Sequence, residues 1–465
     1  MNQPTSGASA ASPEGQLSRS LGTRHVAMIA LGGIIGAGLF VGSSAAIATA
    51  GPAILVSYAI TGGIVFLVMR MVSEMALASP GTGTFVDFAR AGLGHWAGFV
   101  TGWLYWFFWI VVIPVEAIAA AALLEPILGL PVWQTGVFLI VAMMLTNLRS
   151  ARSYGEFEFW FASIKVAALI AFITVAAIYV CRTPLAPGRL RNLSVHGGFA
   201  PFGLSAVFAG VTSVIFTLVG AEIATIAAAE SVDPERAVSR LTVTLVLRVT
   251  FFYVLSIFLI LCIVPWQTII PGKSPFVAAL NVIGIPGAAF AMDFLVVTAA
   301  LSALNSALYV TSRTLFTLAA HGDAPRYLVG LNARHVPVRS IALSATLGIF
   351  GVVASIISPR IVFAFLINAS GAVMLFVYLV IALAQIRNRY RLEHTHPQRL
   401  RLKMWLFPWL SYVVVASIAG ILLMMACDAA LASQFYLSAL SLLVVLAAYG
   451  ARKRNHSKAF TGTVG

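Results

Sequence analysis

Long apolar runs separated by short polar connections fill the chain from residue 26 to residue 450. A membrane-crossing helix needs about 20 such residues. That template fits twelve segments: 26–50, 53–78, 96–124, 132–148, 157–181, 203–229, 241–264, 287–320, 341–357, 361–385, 405–427 and 433–450. The third, sixth and eighth exceed the hydrocarbon thickness, so each is expected to tilt or break. Transmembrane barrels show alternating segments of about ten residues, which are missing here, and helices satisfy their backbone internally. The pattern therefore predicts an all-α membrane protein with 12 transmembrane helices. Residues 1–20 are polar and rich in Ser, Ala, Pro and Gly, the composition of a disordered segment. They lack the basic region and cleavage site of a signal peptide, and the first apolar run is expected to stay as span one.

Span one carries IALGGIIGAGLF at 29–40, with glycines at 32, 33, 36 and 38. Each costs a helix about 1 kcal/mol relative to alanine. A phosphate-binding loop needs GxxxxGK[ST], and no such lysine follows. Helix packing is a second reading, through the Gly32/Gly36 GxxxG pair. A broken helix is the third, and span six bears on it: SVIFTLVGAEIATIAAAE (213–230) places Gly220 and Glu222 in apolar surroundings. If the first five spans and the next five are inverted repeats, spans one and six correspond, and such transporters hold substrate where paired helices are interrupted. Free N–H groups at a break suit a carboxylate and freed carbonyls suit an ammonium, so the substrate expected is a zwitterion. Gly36 and Gly38 then form the bend, and Gly32 and Gly33 are left to packing.

Charge adds orientation. Only 9% of the 465 residues are charged, against about 25% in soluble domains. With both termini and the even-numbered connections on one side, that side receives 21 of the 29 Lys and Arg, the other side 5, and three lie within spans. The termini are therefore expected in the cytoplasm. The net charge of +14 is spread without a dense patch or aromatic platform, which argues against nucleic acid. Cys181, Cys262 and Cys427 lie far apart in or beside apolar runs, so neither a disulfide framework nor a thiolate metal site is expected.

Lys165 lies eight residues into span five, roughly 12 Å deep at 1.5 Å per residue. A charged lysine at that depth is costly unless paired, hydrated or neutral. It is a candidate proton carrier; the competing reading is a structural lysine paired with a carboxylate or backbone carbonyls. Glu222 is a candidate proton acceptor or cytoplasmic gate, or a structural hydrogen-bond acceptor. Glu116, after Pro114 in span three, is a candidate contact for a substrate amine, or a packing acid. Glu74 is read as an i,i+4 surface partner of Arg70, and Glu156 and Glu158 as acids favouring the positive end of span five. Arg248 and Arg313 are placed to snorkel; Asp293 is placed near the opposite surface. Within GWLYWFFW (102–109), Tyr105 and Trp109 are candidate cavity walls, and Phe216 is a candidate lid. An enzyme would need a catalytic constellation such as HExxH, a nucleophile elbow or an intramembrane acid pair; none is found. A channel would need a polar selectivity lining.

These residues resemble the bacterial amino acid permeases of the amino acid–polyamine–organocation superfamily, most closely the γ-aminobutyrate (GABA) permease branch. The resemblance covers about residues 20 to 450. It rests on GLFVGSSAAIATAGPA (38–53), GWLYWFFWIVVIPVEA (102–117), YGEFEFW (154–160), GAEIATIAAAES (220–231), LNSALYVTSRTLF (304–316), GAVMLFVYLVIALAQIR (371–387) and KMWLFPWL (403–410). It implies a first inverted repeat over 21–200, a second over 201–395, two peripheral spans over 396–450 and a cytoplasmic tail over 451–465. It further implies helices broken in spans one and six. Carried over by residue, Ile35, Ala37 and Gly38 would meet the substrate carboxylate through backbone, and Phe216, Thr217 and Val219 would supply carbonyls and an aromatic lid. Lys165 matches the lysine that replaces a sodium site in proton-coupled relatives, and Glu222 the acid after the span-six glycine.

The expected protein is a multi-pass transporter of the bacterial inner membrane, not an enzyme. It would import GABA or a related ω-amino acid with the proton as coupling ion, using no cofactor, metal or nucleic-acid partner. Ala369 stands where the family pattern has Ser, and ALGGIIGAG resembles the aromatic and general amino acid permeases. Aromatic or other α-amino acids, or amino acid exchange, are the alternatives.

Overall fold

The computed structural model describes residues 21–79, 84–182, 190–195, 197–229, 242–358, 362, 365–366, 370, 372–429 and 431–461. Among these it is helical, with no strand. The expected disorder of residues 1–20, the first part of the expected span at 361–385, and Ala369 lie outside the described residues.

The first helix, α1 (Thr23–Ile34), stops where Ile35 turns out of helical geometry. After Ala37 the chain resumes as one π-helical turn, Gly38–Gly42, and then as α2 (Ser43–Ala50). Ser43 and Ser44 donate back to the carbonyls of Leu39 and Val41, so hydroxyls occupy backbone acceptors in the widened turn. Gly51 (φ +60°) and Pro52 reverse the chain into α3 (Ile54–Ala78). Next come α4 (Phe85–Leu93), α5 (His95–Leu128), α6 (Val132–Arg149) and α7 (Ala151–Arg182). The sixth span is α8 (Gly203–Leu218) and α9 (Ile223–Ala229), separated by extended Val219 and by Gly220 at φ +124°. The remainder is α10 (Thr242–Ile263), the short α11 (Pro275–Ile283), α12 (Ala288–Ala320), α13 (Val338–Ala354), α14 (Val373–Thr395), α15 (Trp409–Cys427) and α16 (Ala432–Thr461).

Among the described residues, ten helical runs are long and apolar enough to cross a membrane. One of them, 24–78, is 55 residues long and contains both the interrupted first span and α3. The 17-residue α13 is apolar but shorter than the rest. Of the three overlong segments, two are single long helices, α5 and α12, and the third is broken at 219–222.

Polar and apolar residues are placed as a lipid solvent requires. Phe138, Trp160, Phe290, Leu423 and Leu443 are exposed, whereas Glu116, Lys165 and Glu222 are buried. The closest packed pair is α5 with α12, while α1 lies against α7, α9, α10 and α12. The last span, α16, is the least buried of the apolar helical runs. α16 runs as helix to Thr461, into the stretch expected as the tail.

Two ionic clusters fasten the ends of helices, and one corrects the sequence reading. Glu74 does not pair with Arg70. It is buried and accepts from Arg389 (2.9 Å), Gln385 (2.9 Å) and the Met404 N–H. Arg70 reaches the Lys403 carbonyl and stacks on Trp405. Beyond the end of α12, Asp323 pairs with Arg90 (2.5 Å), His95 (3.0 Å) and Arg452, joining α4, α5 and α16. Burial pushes its carboxyl up, but hydrogen bonds from Arg90 and Arg452 and the charges of Arg90 and His95 hold it below the usual carboxylate range.

Candidate functional site

The two interruptions meet. A Cβ built on Gly220 would lie 2.7 Å from the carbonyl carbon and oxygen of Gly33, and 2.9 Å from the Ile34 nitrogen. Only a glycine with its open φ space allows the second break to cross the first at backbone distance. The glycines of span one each admit a neighbour. A Cβ at Gly32 would fall 1.6 Å from Glu158 Oε1, at Gly33 2.3 Å from Ile223 Cδ1, and at Gly36 2.9 Å from Glu116 Oε1. Gly38 has more room, with Thr217 and Phe216 at 3.4–3.5 Å. Gly32 and Gly33, read as packing positions, thus do pack, and what fills the notch at Gly32 is a carboxylate.

An interrupted helix frees carbonyls that must find partners. Lys165, buried on α7, supplies most of them: Nζ donates to Gly32 O (2.8 Å), Ile35 O (2.7 Å) and Ser302 Oγ of α12 (2.8 Å). Those three bonds use every proton of an ammonium. Tyr253 of α10 donates to Ile34 O (3.0 Å). On the donor side, the Ala37 N–H is taken by Glu116 Oε2 (3.2 Å). A carboxylate of the protein therefore lies on a backbone N–H of the break, the type of group expected to meet a substrate carboxylate.

At the second interruption Glu222 gathers donors. Its oxygens accept from the Gly220 N–H (3.2 Å), Tyr105 Oη (3.2 Å) and Tyr378 Oη (3.1 Å). This ties the start of α9 to α5 and α14. Tyr105 consequently serves Glu222 and does not line the cavity.

Between the interruptions lies a cavity of about 20 Å³, bordered by Glu116, Phe216, Thr217, Val219 and Gly38, with Trp109 and Phe108 beside them. That is room for about one water. Of the expected substrate contacts, Ile35 and Ala37 are absent from this lining and are engaged instead by Lys165 and Glu116. Phe216 packs on Phe108, with ring centroids 5.8 Å apart. Asp293 borders a second, larger cavity of about 350 Å³ with Lys273 and Asn281.

Sequence reasoning misjudged Glu158. It is not a solvated helix-end acid but a fully buried one, 3.9 Å from Lys165 Nζ and accepting the Ser302 hydroxyl. Its spacing from Lys165, seven residues or two helical turns, was the available signal. Glu156 does reach the surface, where Arg24 and His25 hold it.

Two interrupted helices crossing at their breaks, with a buried lysine on the freed carbonyls and a small cavity bordered by Glu116 and Thr217 between them, define a multi-pass membrane transporter of small polar solutes. The family model for amino acid permeases matches residues 25–460. The chain belongs to that family and is an amino acid transporter, not an enzyme. Among curated relatives, the γ-aminobutyric acid permease of Bacillus subtilis is 44% identical over 454 residues, covering 97% of this chain and 94% of its own. A probable GABA permease of Pseudomonas aeruginosa is 45% identical, covering 88% and 87%. The aromatic amino acid transport protein AroP of Corynebacterium glutamicum is 39% identical, covering 90% and 92%.

Proposed function

We propose that this protein imports GABA or a related ω-amino acid across the bacterial inner membrane by proton symport, with both termini in the cytoplasm. The observation that carries the reading is the pairing at the first interruption, where Glu116 occupies the Ala37 N–H and Lys165 occupies the neighbouring carbonyls. An incoming carboxylate competes with Glu116 for that N–H. Once displaced, Glu116 is free to face the substrate ammonium. Phe216 and Trp109 close over the methylene chain. The names of the two GABA-permease relatives support this substrate class. The likeness to AroP and the ALGGIIGAG start favour α-amino acids as the second reading.

Counterflow in proteoliposomes tests both. Labelled GABA, alanine, phenylalanine and lysine are offered against internal unlabelled amino acid. GABA is expected to exchange fastest; failure of GABA to compete would remove it as substrate, and preference for phenylalanine would install the alternative. Uptake that ignores an uncoupler would replace symport with exchange.

A further inference from the structure

We propose that Glu158 is the proton acceptor for Lys165 on the cytoplasmic side, with the Ser302 hydroxyl between them; this rests on the proton-symport reading above. Three observations converge. Lys165 Nζ donates to Ser302 Oγ at 2.8 Å, and the same hydroxyl donates to Glu158 Oε1, which itself stands 3.9 Å from Nζ. Lys165 and Glu158 are both fully buried, so neither exchanges protons with solvent directly. Ser302, Asn305 and Ser306, all on α12, stand within hydrogen-bonding reach of the Glu158 carboxyl.

The step balances. A Lys165 N–H bond breaks and its proton joins Ser302 Oγ, while the original Ser302 proton forms an O–H bond to Glu158. Lys165 becomes neutral amine, Glu158 becomes carboxylic acid, and Ser302 is unchanged. The pair passes from two opposite charges to none, so the step creates no net charge in the apolar interior.

Below Glu158 the polar contacts continue. Tyr154, one turn nearer the start of α7, meets Ser306 (3.0 Å), and Asn147 near the end of α6 donates to Asn305 (2.7 Å). The titratable and charged groups around Glu158 are Lys165 and Tyr154 on α7, with Tyr309 stacked on Tyr154 and Arg313 over Tyr309. Glu116 of α5 lies across Lys165, and His25 of α1 lies beside Gly155. At Glu158 itself α1 presents Gly32, whose absent side chain is the slot for the carboxylate.

The test compares wild type with Glu158→Gln in proteoliposomes carrying an internal pH dye. Substrate-evoked proton flux in Glu158→Gln is expected to fall about 100-fold, the low end for a positioned proton-transfer group, while counterflow persists. Glu158→Asp, which keeps an acid, is expected to restore flux with a displaced pH profile. Wild-type flux and pH profile in Glu158→Gln would overturn the assignment alone. No proton flux in wild type would overturn the symport reading and the assignment with it. If Glu158→Gln loses counterflow too, Glu158→Asp decides: restored flux supports the proton role, and loss of both activities assigns Glu158 to structure.

Discussion

Replacing Gly220 with alanine probes the crossing of the two interrupted helices. Two costs apply. A non-glycine residue at φ +124° sits in backbone space that costs about 1–3 kcal/mol. The new Cβ also meets Gly33 and Ile34 backbone at 2.7–2.9 Å, an overpacking that costs about another 1–3 kcal/mol. The sum, roughly 2–6 kcal/mol, is a large part of the 5–15 kcal/mol typical of a folded protein. Gly63 provides the control: it is exposed on α3, and a Cβ there meets nothing within 4 Å, so alanine gains up to about 1 kcal/mol of helix propensity. Gly33→Ala falls between them, because its obstacle at 2.3 Å is the flexible end of Ile223. Thermal melts in detergent, read by size-exclusion recovery, and counterflow in liposomes should rank the variants Gly63→Ala, Gly33→Ala, Gly220→Ala from least to most damaged. A Gly220→Ala protein as stable and active as Gly63→Ala would refute the backbone crossing.

Three further outcomes are expected. Glu222→Gln offers one acceptor oxygen where Tyr105, Tyr378 and the Gly220 N–H now share two, so melts should show a loss of about 1–3 kcal/mol; unchanged accumulation and pH profile would assign Glu222 to structure alone. Glu74→Ala leaves Arg389 buried without its partner and should cost about 3–5 kcal/mol, whereas Arg70→Ala, which leaves that pair whole, should cost no more than about 1 kcal/mol. Asp323→Asn should lower stability by about 2 kcal/mol, since the partners Arg90 and Arg452 are partly exposed. The folded Asp323 carboxyl is depressed, so its contribution is complete above the unfolded value near 3.9 and is lost as pH falls through the folded value. The stability gap between wild type and variant should therefore persist above about pH 4 and close only in stronger acid.

What was legible in the sequence followed from local contrast. Lys165 stood out because a charge interrupts an apolar run, and the span-one glycines because they weaken a helix that has no local need of them. The break itself falls at 35–37, beside the glycines named for it. Pairings between distant elements were not legible. Glu158 lies two turns inside α7, its spacing from Lys165 was the one local signal, and only the approach of Gly32 on α1 reveals that it is buried. Glu74 had Arg70 one turn away, and nothing local announces that Arg389, on α14, takes its place. Tyr253, Ser302 and Tyr378 carry no local signal, since a hydroxyl in an apolar helix has many neutral uses.

Under the proposed proton transfer, the same contacts would link proton state to helix movement. A cavity of about 20 Å³ must enlarge before an amino acid enters, and α1 forms part of its wall. Moving α1 away from α7 separates Lys165 from the carbonyls of Gly32 and Ile35 and withdraws the Gly32 notch from Glu158. Those carbonyls attract an ammonium more strongly than a neutral amine, because charge-assisted hydrogen bonds are about twice as strong. A protonated Lys165 therefore holds α1 in place, and a Lys165 that has passed its proton to Glu158 holds it less. The Glu158 carboxyl, once neutral, also leaves the notch at lower desolvation cost than a carboxylate pulled from its lysine. Under the proposed mechanism, proton transfer and the release of α1 would favour each other, which is the coupling a symporter requires.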